Sequence, residues 1–338
     1  MKSMLKNAMA AAAFATASIG AVAPQTASAA DMMKEINFGI ISTESSQNLR
    51  ESWGPLLEDL SKYTGFKVNA FFAPDYAGII EGMRFNKVQV AWFGNKSAME
   101  AVDRADGEVF VQTVDVEGNP GYWSLLVTNV NSPLNKLEDV LKCDKSLNFG
   151  NGDPNSTSGF LVPSYYVFAQ NNVTPQDCFK RVVSANHETN LMAAANGQVD
   201  VATNNTENLR RIELANPEAF KKIKVIWQSP LIPADPLVWR KDLSDDMKGV
   251  IKSFFLSYGR VGPDKDEALK KLAAIQLAPF KDSSDAQLYP IRQLQLFRDR
   301  TKLAADANMG AAEKSEKIAA IDAELTRLKV LASAQAGS

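Results

Sequence analysis

The 338-residue chain has one histidine, His187, and two cysteines, Cys143 and Cys178. One imidazole and two thiols outside any CxxC cannot build a common zinc site or a redox dithiol. Neither sign of charge is in excess: 37 Lys plus Arg face 39 Asp plus Glu, a formal net charge of −2. The basic footprint of a nucleic-acid binder is missing, and so is an acidic solvating tail. No GxSxG elbow, HExxH helix, Walker loop or GxGxxG turn occurs. Beyond residue 22 no apolar run approaches the ~18 residues of a membrane span. What is present is ordinary globular composition, 45% hydrophobic and 22% charged. The length suits about two domains of ~150 residues.

The first thirty residues stand apart. Lys2 and Lys6 precede an uncharged stretch over 8–22, and Ala27-Ser28-Ala29 follows. A positive start, a short apolar run and small residues predict a cleaved secretory signal peptide over 1–29. Export permits a disulfide, but the spacing of Cys143 and Cys178 leaves bonded and free forms equally open.

Downstream, short β-like runs alternate with helical patterns. Ile36–Ile41, Phe66–Phe72 and Val88–Phe93 read as strands; Ala77–Phe85 and Lys96–Arg104 read as helices. Leu49, Trp53, Leu56, Leu60 and Tyr63 recur at helical spacing, with Gly65 as a C-terminal cap. This alternation predicts an α/β fold with mainly parallel sheets. Asn37-Phe38-Gly39 recurs as Asn148-Phe149-Gly150, and Val88–Ala91 is echoed by Val199–Ala202, both at an offset of 111. Two matches at one offset predict two similar lobes. Residues 225–240 read as an extended crossover, and Ser244 caps a helix running to about Tyr258. Near the C-terminus, Ile318, Ile321, Leu325 and Leu328 form an apolar seam that either docks on the chain's own body or pairs two copies as a homodimer.

The candidate chemistry lies in Gly150–Gly159. Glycines and Pro154 permit a tight turn after a strand, and Ser156, Thr157 and Ser158 fall in the first turn of a helix. Unpaired amides, the positive dipole end and three hydroxyls suit a tetrahedral oxyanion; an ordinary capped helix start has the same pattern. The 111 offset places Ser45 and Ser46 opposite Ser156 and Thr157, which predicts two hydroxyl-rich turns facing across a cleft. Glu207 sits just past a strand end, Asp235 lies between prolines, and Tyr76 follows the Pro74-Asp75 turn. Each has an equally simple structural role as a helix-end acid, a paired acid or a turn aromatic.

Long stretches carry a resemblance. NFGIISTES (37–45), VNAFFAPDYAGIIEGMRFNKV (68–88), SAMEAVDRA (97–105), NPGYWS (119–124), FGNGDPNSTSGFLVP (149–163), HETN (187–190), VDVATNNTENL (199–209), SPLIPADPLVWRK (229–241) and APF (278–280) resemble the periplasmic phosphonate-binding proteins of bacterial phosphonate ABC importers. The resemblance implies a type II periplasmic-binding-protein-like fold, two α/β lobes joined by crossover strands. Its expected segments are 30–124 with 236–305, 125–235, and a C-terminal helical segment over 306–338. It implies a non-catalytic receptor without cofactor or metal that closes on a phosphonate, 2-aminoethylphosphonate in preference, and serves a membrane permease. It places Ser156, Thr157, Ser158, Tyr76 and His187 at the phosphonate, Glu207 and Asp235 at the amine, and Tyr122 along the pocket. Phosphite, a phosphate ester or a sulfonate stand as alternative ligands of the same receptor class. A secreted hydrolase would need a metal cluster or an activated nucleophile.

Overall fold

Apolar strands separated by amphipathic helices sort into two mixed sheets. The computed structural model describes residues 35–336; the expected signal peptide lies outside them. The strands are β1 (Glu35–Ile40), β2 (Lys67–Phe72), β3 (Val90–Trp92), β4 (Gly107–Asp115), β5 (Gly121–Tyr122), β6 (Ser124–Asn129), β7 (Asn148–Asn151), β8 (Arg181–Ser184), β9 (Val201–Asn205), β10 (Ile223–Gln228), β11 (Ile232–Pro233), β12 (Pro236–Arg240) and β13 (Leu277–Asp282). One sheet runs β13-β4-β12-β3-β1-β2 and the other β10-β6-β9-β7-β8.

The sheets are only partly parallel, unlike the sequence expectation. β1 lies parallel to β2 and β3, and β7 parallel to β8 and β9. The remaining pairs in both sheets are antiparallel. Connectivity explains the difference. β4 leaves the first lobe beside β12, which returns to it, and β6 enters the second lobe beside β10, which leaves it. Between the lobes the two crossover segments themselves pair, as β5 with β11. A Cβ on Gly121 would stand 1.9 Å from the Ile232 carbonyl oxygen, so only glycine lets the two segments touch.

The 111 offset is realised bond by bond. Phe38 faces Val90 and Gly39 faces Ala91; 111 residues on, Phe149 faces Val201 and Gly150 faces Ala202. The Asn37 N–H donates to Gln89 Oε1 as the Asn148 N–H donates to Asp200 Oδ2. Ser45 Oγ caps the helix Ser46–Thr64 by accepting from the Asn48 N–H, and Ser156 Oγ accepts from the Gly159 N–H at the matching place.

In the helix Ser46–Thr64, Leu49, Trp53, Leu56 and Leu60 are buried, and Gly65 ends it at φ 72° with its N–H on the Ser61 carbonyl. Tyr63, read as part of the same stripe, is 54% exposed and packs at 5.5 Å on Phe254. The helix Tyr289–Ala305 spans both lobes. Arg292 pairs with Asp103 of the first, while Ile291 and Leu294 pack against Leu161 and Val162 of the second. The helix Ala311–Ala336 folds back along it, with Leu325 and Leu328 buried and Arg300 paired to Asp322. This docking uses the residues that a helix-mediated dimer would need. Among the described residues no helix is long and apolar enough to cross a membrane.

Cys143 and Cys178 are disulfide-bonded across 35 residues, under the second lobe's core. By loop-closure entropy such a link stabilises the fold by about 3–4 kcal/mol. Replacing both cysteines by serine is expected to lower the denaturant midpoint correspondingly, measured by chemical unfolding; an unchanged midpoint would show the bond to be dispensable.

Candidate functional site

All eight residues picked out from the sequence line one cavity between the lobes: Tyr76, Tyr122, Ser156, Thr157, Ser158, His187, Glu207 and Asp235. It lies beyond the carboxyl ends of β3, β7 and β9, where open α/β sheets expose helix starts. Ser45 and Ser46 do not join them. Both are exposed at the rim, and the Ser45 N–H donates to Glu188 Oε2 of the other lobe at 2.7 Å. Thr43 takes their place in the wall.

The chain after β7 turns through Gly152 and starts a π-helical turn at Thr157, closed by a bond from the Leu161 N–H to the Ser156 carbonyl at 3.1 Å. Each of the three hydroxyl oxygens already accepts a hydrogen bond. Ser156 Oγ accepts from the Gly159 N–H (2.9 Å), Thr157 Oγ1 from the Lys96 N–H (2.9 Å) and Ser158 Oγ from Asn205 Nδ2 (3.0 Å). With the oxygens engaged, the three O–H protons are left to donate. The Tyr76 hydroxyl stands beside Ser156, and burial raises its pKa, so it too remains a proton-bearing donor.

His187 begins the helix His187–Ala195 and is buried. Its Nε2 lies 3.2 Å from Asn205 Nδ2 and 3.4 Å from both Ser156 Oγ and Ser158 Oγ. Burial first, and the nearby Arg211 charge second, push its pKa down to about 3, so the ring is neutral.

The other end is acidic. Asp235 is buried and accepts from the Tyr122 hydroxyl at 2.8 Å. Burial, then the charge of Glu207, holds its pKa well above the usual range. Glu207 is raised by burial and by Asp115, against Arg211. Arg211, which the sequence reading did not single out, also lines the cavity and is ion-paired with Glu44 across the lobes. Arg210 likewise reaches Asp115 and Glu117 at 2.8 Å, and the Tyr76 N–H meets Asp153 Oδ2 at 3.2 Å. These bonds join the lobes in a closed arrangement.

One further residue was within reach of the sequence. Adding 111 to Tyr76 gives His187, and adding it to Gly94 gives Asn205. Tyr76 and His187 are each the first residue of a helix, behind the caps Asp75 and Asn186. Gly94 and Asn205 are themselves helix caps. Extending the repeat would have found Asn205 as a site residue. Among the described residues no group of three or more His, Cys, Asp or Glu could hold a metal ion.

Residues 38–288 match the family described as "ABC transporter, phosphonate, periplasmic substrate-binding protein". The phosphonates-binding periplasmic protein of Escherichia coli (strain K12) is 58% identical over 302 residues, covering 89% of this chain and 88% of that protein. A solved binding protein component of an ABC phosphonate transporter from Pseudomonas aeruginosa is 58% identical, with a TM-score of 0.86 over 89% of this chain and 98% of its own. A Prochlorococcus marinus protein solved with methylphosphonate shares the fold at 22% identity, with a TM-score of 0.68 over 77% of this chain and 97% of its own. With the profile match spanning most of its length, the chain belongs to the periplasmic substrate-binding proteins of phosphonate ABC transporters, which bind a solute for a membrane permease and do not transform it.

Proposed function

We propose that this receptor captures 2-aminoethylphosphonate between its lobes. Ser156, Thr157, Ser158, Tyr76 and His187 contact the phosphonate, and Glu207 and Asp235 hold the ammonium. Tyr122 lines the pocket and orients Asp235. The observation that carries the reading is the polarity of the cavity, three preset hydroxyl donors at one end, and the buried Asp235 with the half-buried Glu207 at the other. Those acids would repel a bare dianion and suit a zwitterion. Hydrogen bonds to charged groups contribute about 1.5–3 kcal/mol each. About five at the phosphonate plus two carboxylates can exceed the ~8 kcal/mol of micromolar binding after the costs of association. The lobes are proposed as 30–124 with 236–305 and 125–235, and residues 1–29 as a cleaved signal peptide.

Calorimetric titration of ligand-stripped protein tests this. The aminophosphonate should bind more tightly than ethylphosphonate or phosphate; tighter binding of an amine-free ligand would overturn the carboxylate roles. Acidification adds a second check. The ammonium favours ionised Glu207 and Asp235, so binding releases protons from acids whose pKa values are raised in the free protein. Relative to ethylphosphonate, which shares the phosphonate's own ionisation, affinity for the aminophosphonate should therefore fall as the pH is lowered, before an ordinary carboxylate near 4 would titrate.

A further inference from the structure

The atom that His187 presents to the ligand is decided by Asn205. Asn205 caps the helix Thr206–Ala215, and its Oδ1 accepts from the Asn208 N–H at 2.7 Å. That bond fixes which end of the amide is oxygen. Nδ2, with its two protons, must then face Ser158 Oγ and His187 Nε2. An N–H on Nε2 would set its proton against those of the Asn205 amide, the nearest neighbour at 3.2 Å, and would find as acceptors only Ser156 Oγ and Ser158 Oγ, both at 3.4 Å and both already accepting. Nδ1 has no hydrogen-bond partner whichever tautomer is drawn, so the neighbours of Nε2 decide.

We infer that Asn205 is a positioning residue that fixes His187 with its proton on Nδ1, so that Nε2 offers a lone pair and the receptor takes the phosphonate as a monoanion whose P–O–H donates to that nitrogen. This rests on the proposed seat of the phosphonate. Around that seat the remaining groups are donors, namely Ser156, Thr157, Ser158 and Tyr76, which suit the unprotonated oxygens. They are also neutral, and Arg211 is already paired with Glu44. A second negative charge on the ligand would find no cation of its own. The long 3.2–3.4 Å contacts at Nε2 leave room for a shorter bond from a P–O–H to dominate.

Such a site discriminates by a single hydrogen. Taurine carries the same ethylammonium and the same single charge on its acid end, but a sulfonate has no hydroxyl. Its third oxygen would set a lone pair against the lone pair of Nε2. Sites built to bond a hydroxyl reject analogues that lack it by about 10⁴-fold, and taurine should bind at least about 1000-fold more weakly than 2-aminoethylphosphonate.

The test has three arms. His187 is the chain's single histidine, so nitrogen-15 NMR of histidine-labelled protein reads its tautomer without ambiguity. Nδ1 should show the protonated shift and Nε2 the unprotonated one. A proton on Nε2 in the ligand-free protein would overturn the inference. Titration with taurine is the second arm, and affinity within about tenfold of the aminophosphonate would overturn it as well. Asn205→Asp is the third: it keeps the oxygen that caps the helix and replaces the amide donor by an acceptor. The His187 proton should move to Nε2 and phosphonate affinity should fall at least about 100-fold, whereas an unmoved proton would remove Asn205 from its role. The first two arms need no variant to fold. If 2-aminoethylphosphonate binds no better than ethylphosphonate, the amine reading fails by itself, and ethylphosphonate against ethanesulfonate then tests the hydroxyl.

Discussion

Asp235→Asn lowers affinity for 2-aminoethylphosphonate by about 100-fold and leaves ethylphosphonate within about threefold. The substitution exchanges one oxygen for an amide and keeps the other, Oδ1, which accepts from Tyr122 at 2.8 Å. The backbone is untouched, and the Asp235 carbonyl still accepts from the Thr113 N–H and hydroxyl. What is lost is half of the charge facing the ammonium. Removing one partner of a buried, hydrogen-bonded charge pair costs roughly 2–5 kcal/mol, and 1.4 kcal/mol is tenfold. Burial and Glu207 raise the pKa of Asp235 in the free protein, so part of the ammonium's attraction is offset by proton release, which puts the loss near the lower half of that range. Glu207→Gln should act in the same sense. Its loss should be smaller because Glu207 is only half-buried and water can compensate. Calorimetry on both ligands decides the matter, since an equal loss for the two would mean that Asp235 shapes the pocket and does not hold the amine.

The sequence carried the site further than the sheets. Eight of the residues that line the cavity were legible because they follow strand ends or turn signals and lie within long stretches resembling the family. The repeat was legible because Asn37-Phe38-Gly39 and Val88–Ala91 are strand cores, whose pairing fixes their identity in both lobes. The antiparallel half of each sheet was not legible, because it follows from where the crossovers re-enter, a long-range choice that β4 and β12 do not announce locally. Ser45 and Ser46 were misplaced for a related reason. The offset gave their fold position correctly, but the rim exposes that position in the first lobe, and the cleft covers its counterpart in the second. Arg211 reads as an ordinary helix-surface charge until Glu44, 167 residues earlier, comes to meet it. The disulfide was likewise undecided by spacing, since nothing local brings Cys178 beside Cys143.

Gly152→Ala abolishes high-affinity binding of every phosphonate alike, with or without an amine. A Cβ at Gly152 would lie 2.4–2.5 Å from the carbonyl carbon, Cα and oxygen of Gly159. Carbon atoms rest at about 3.5–4.0 Å, so the two backbone segments must part by about 1 Å. All three obstacles are main chain and cannot rotate aside. The bond from the Gly152 N–H to the Gly159 carbonyl at 3.0 Å would break first. Gly159 also supplies the N–H that engages Ser156 Oγ, and its own Cβ position is 3.1 Å from His187 Cε1. Moving Gly159 therefore misaligns Ser156, Thr157, Ser158 and His187 together. Losing two or more charge-assisted bonds of about 1.5–3 kcal/mol each predicts a loss of at least about 100-fold. The second lobe's core, built on Phe149, Phe168 and Phe179 and tied by the disulfide, does not include this turn. The variant should thus keep a cooperative melt and its circular dichroism while losing its ligands. Retention of 2-aminoethylphosphonate within about tenfold, in a folded protein, would place the anion elsewhere than on the Ser156–Ser158 turn. The contrast with Asp235→Asn separates the two ends of the cavity: one variant strips the receptor of selectivity for the amine, and the other strips it of the phosphonate itself.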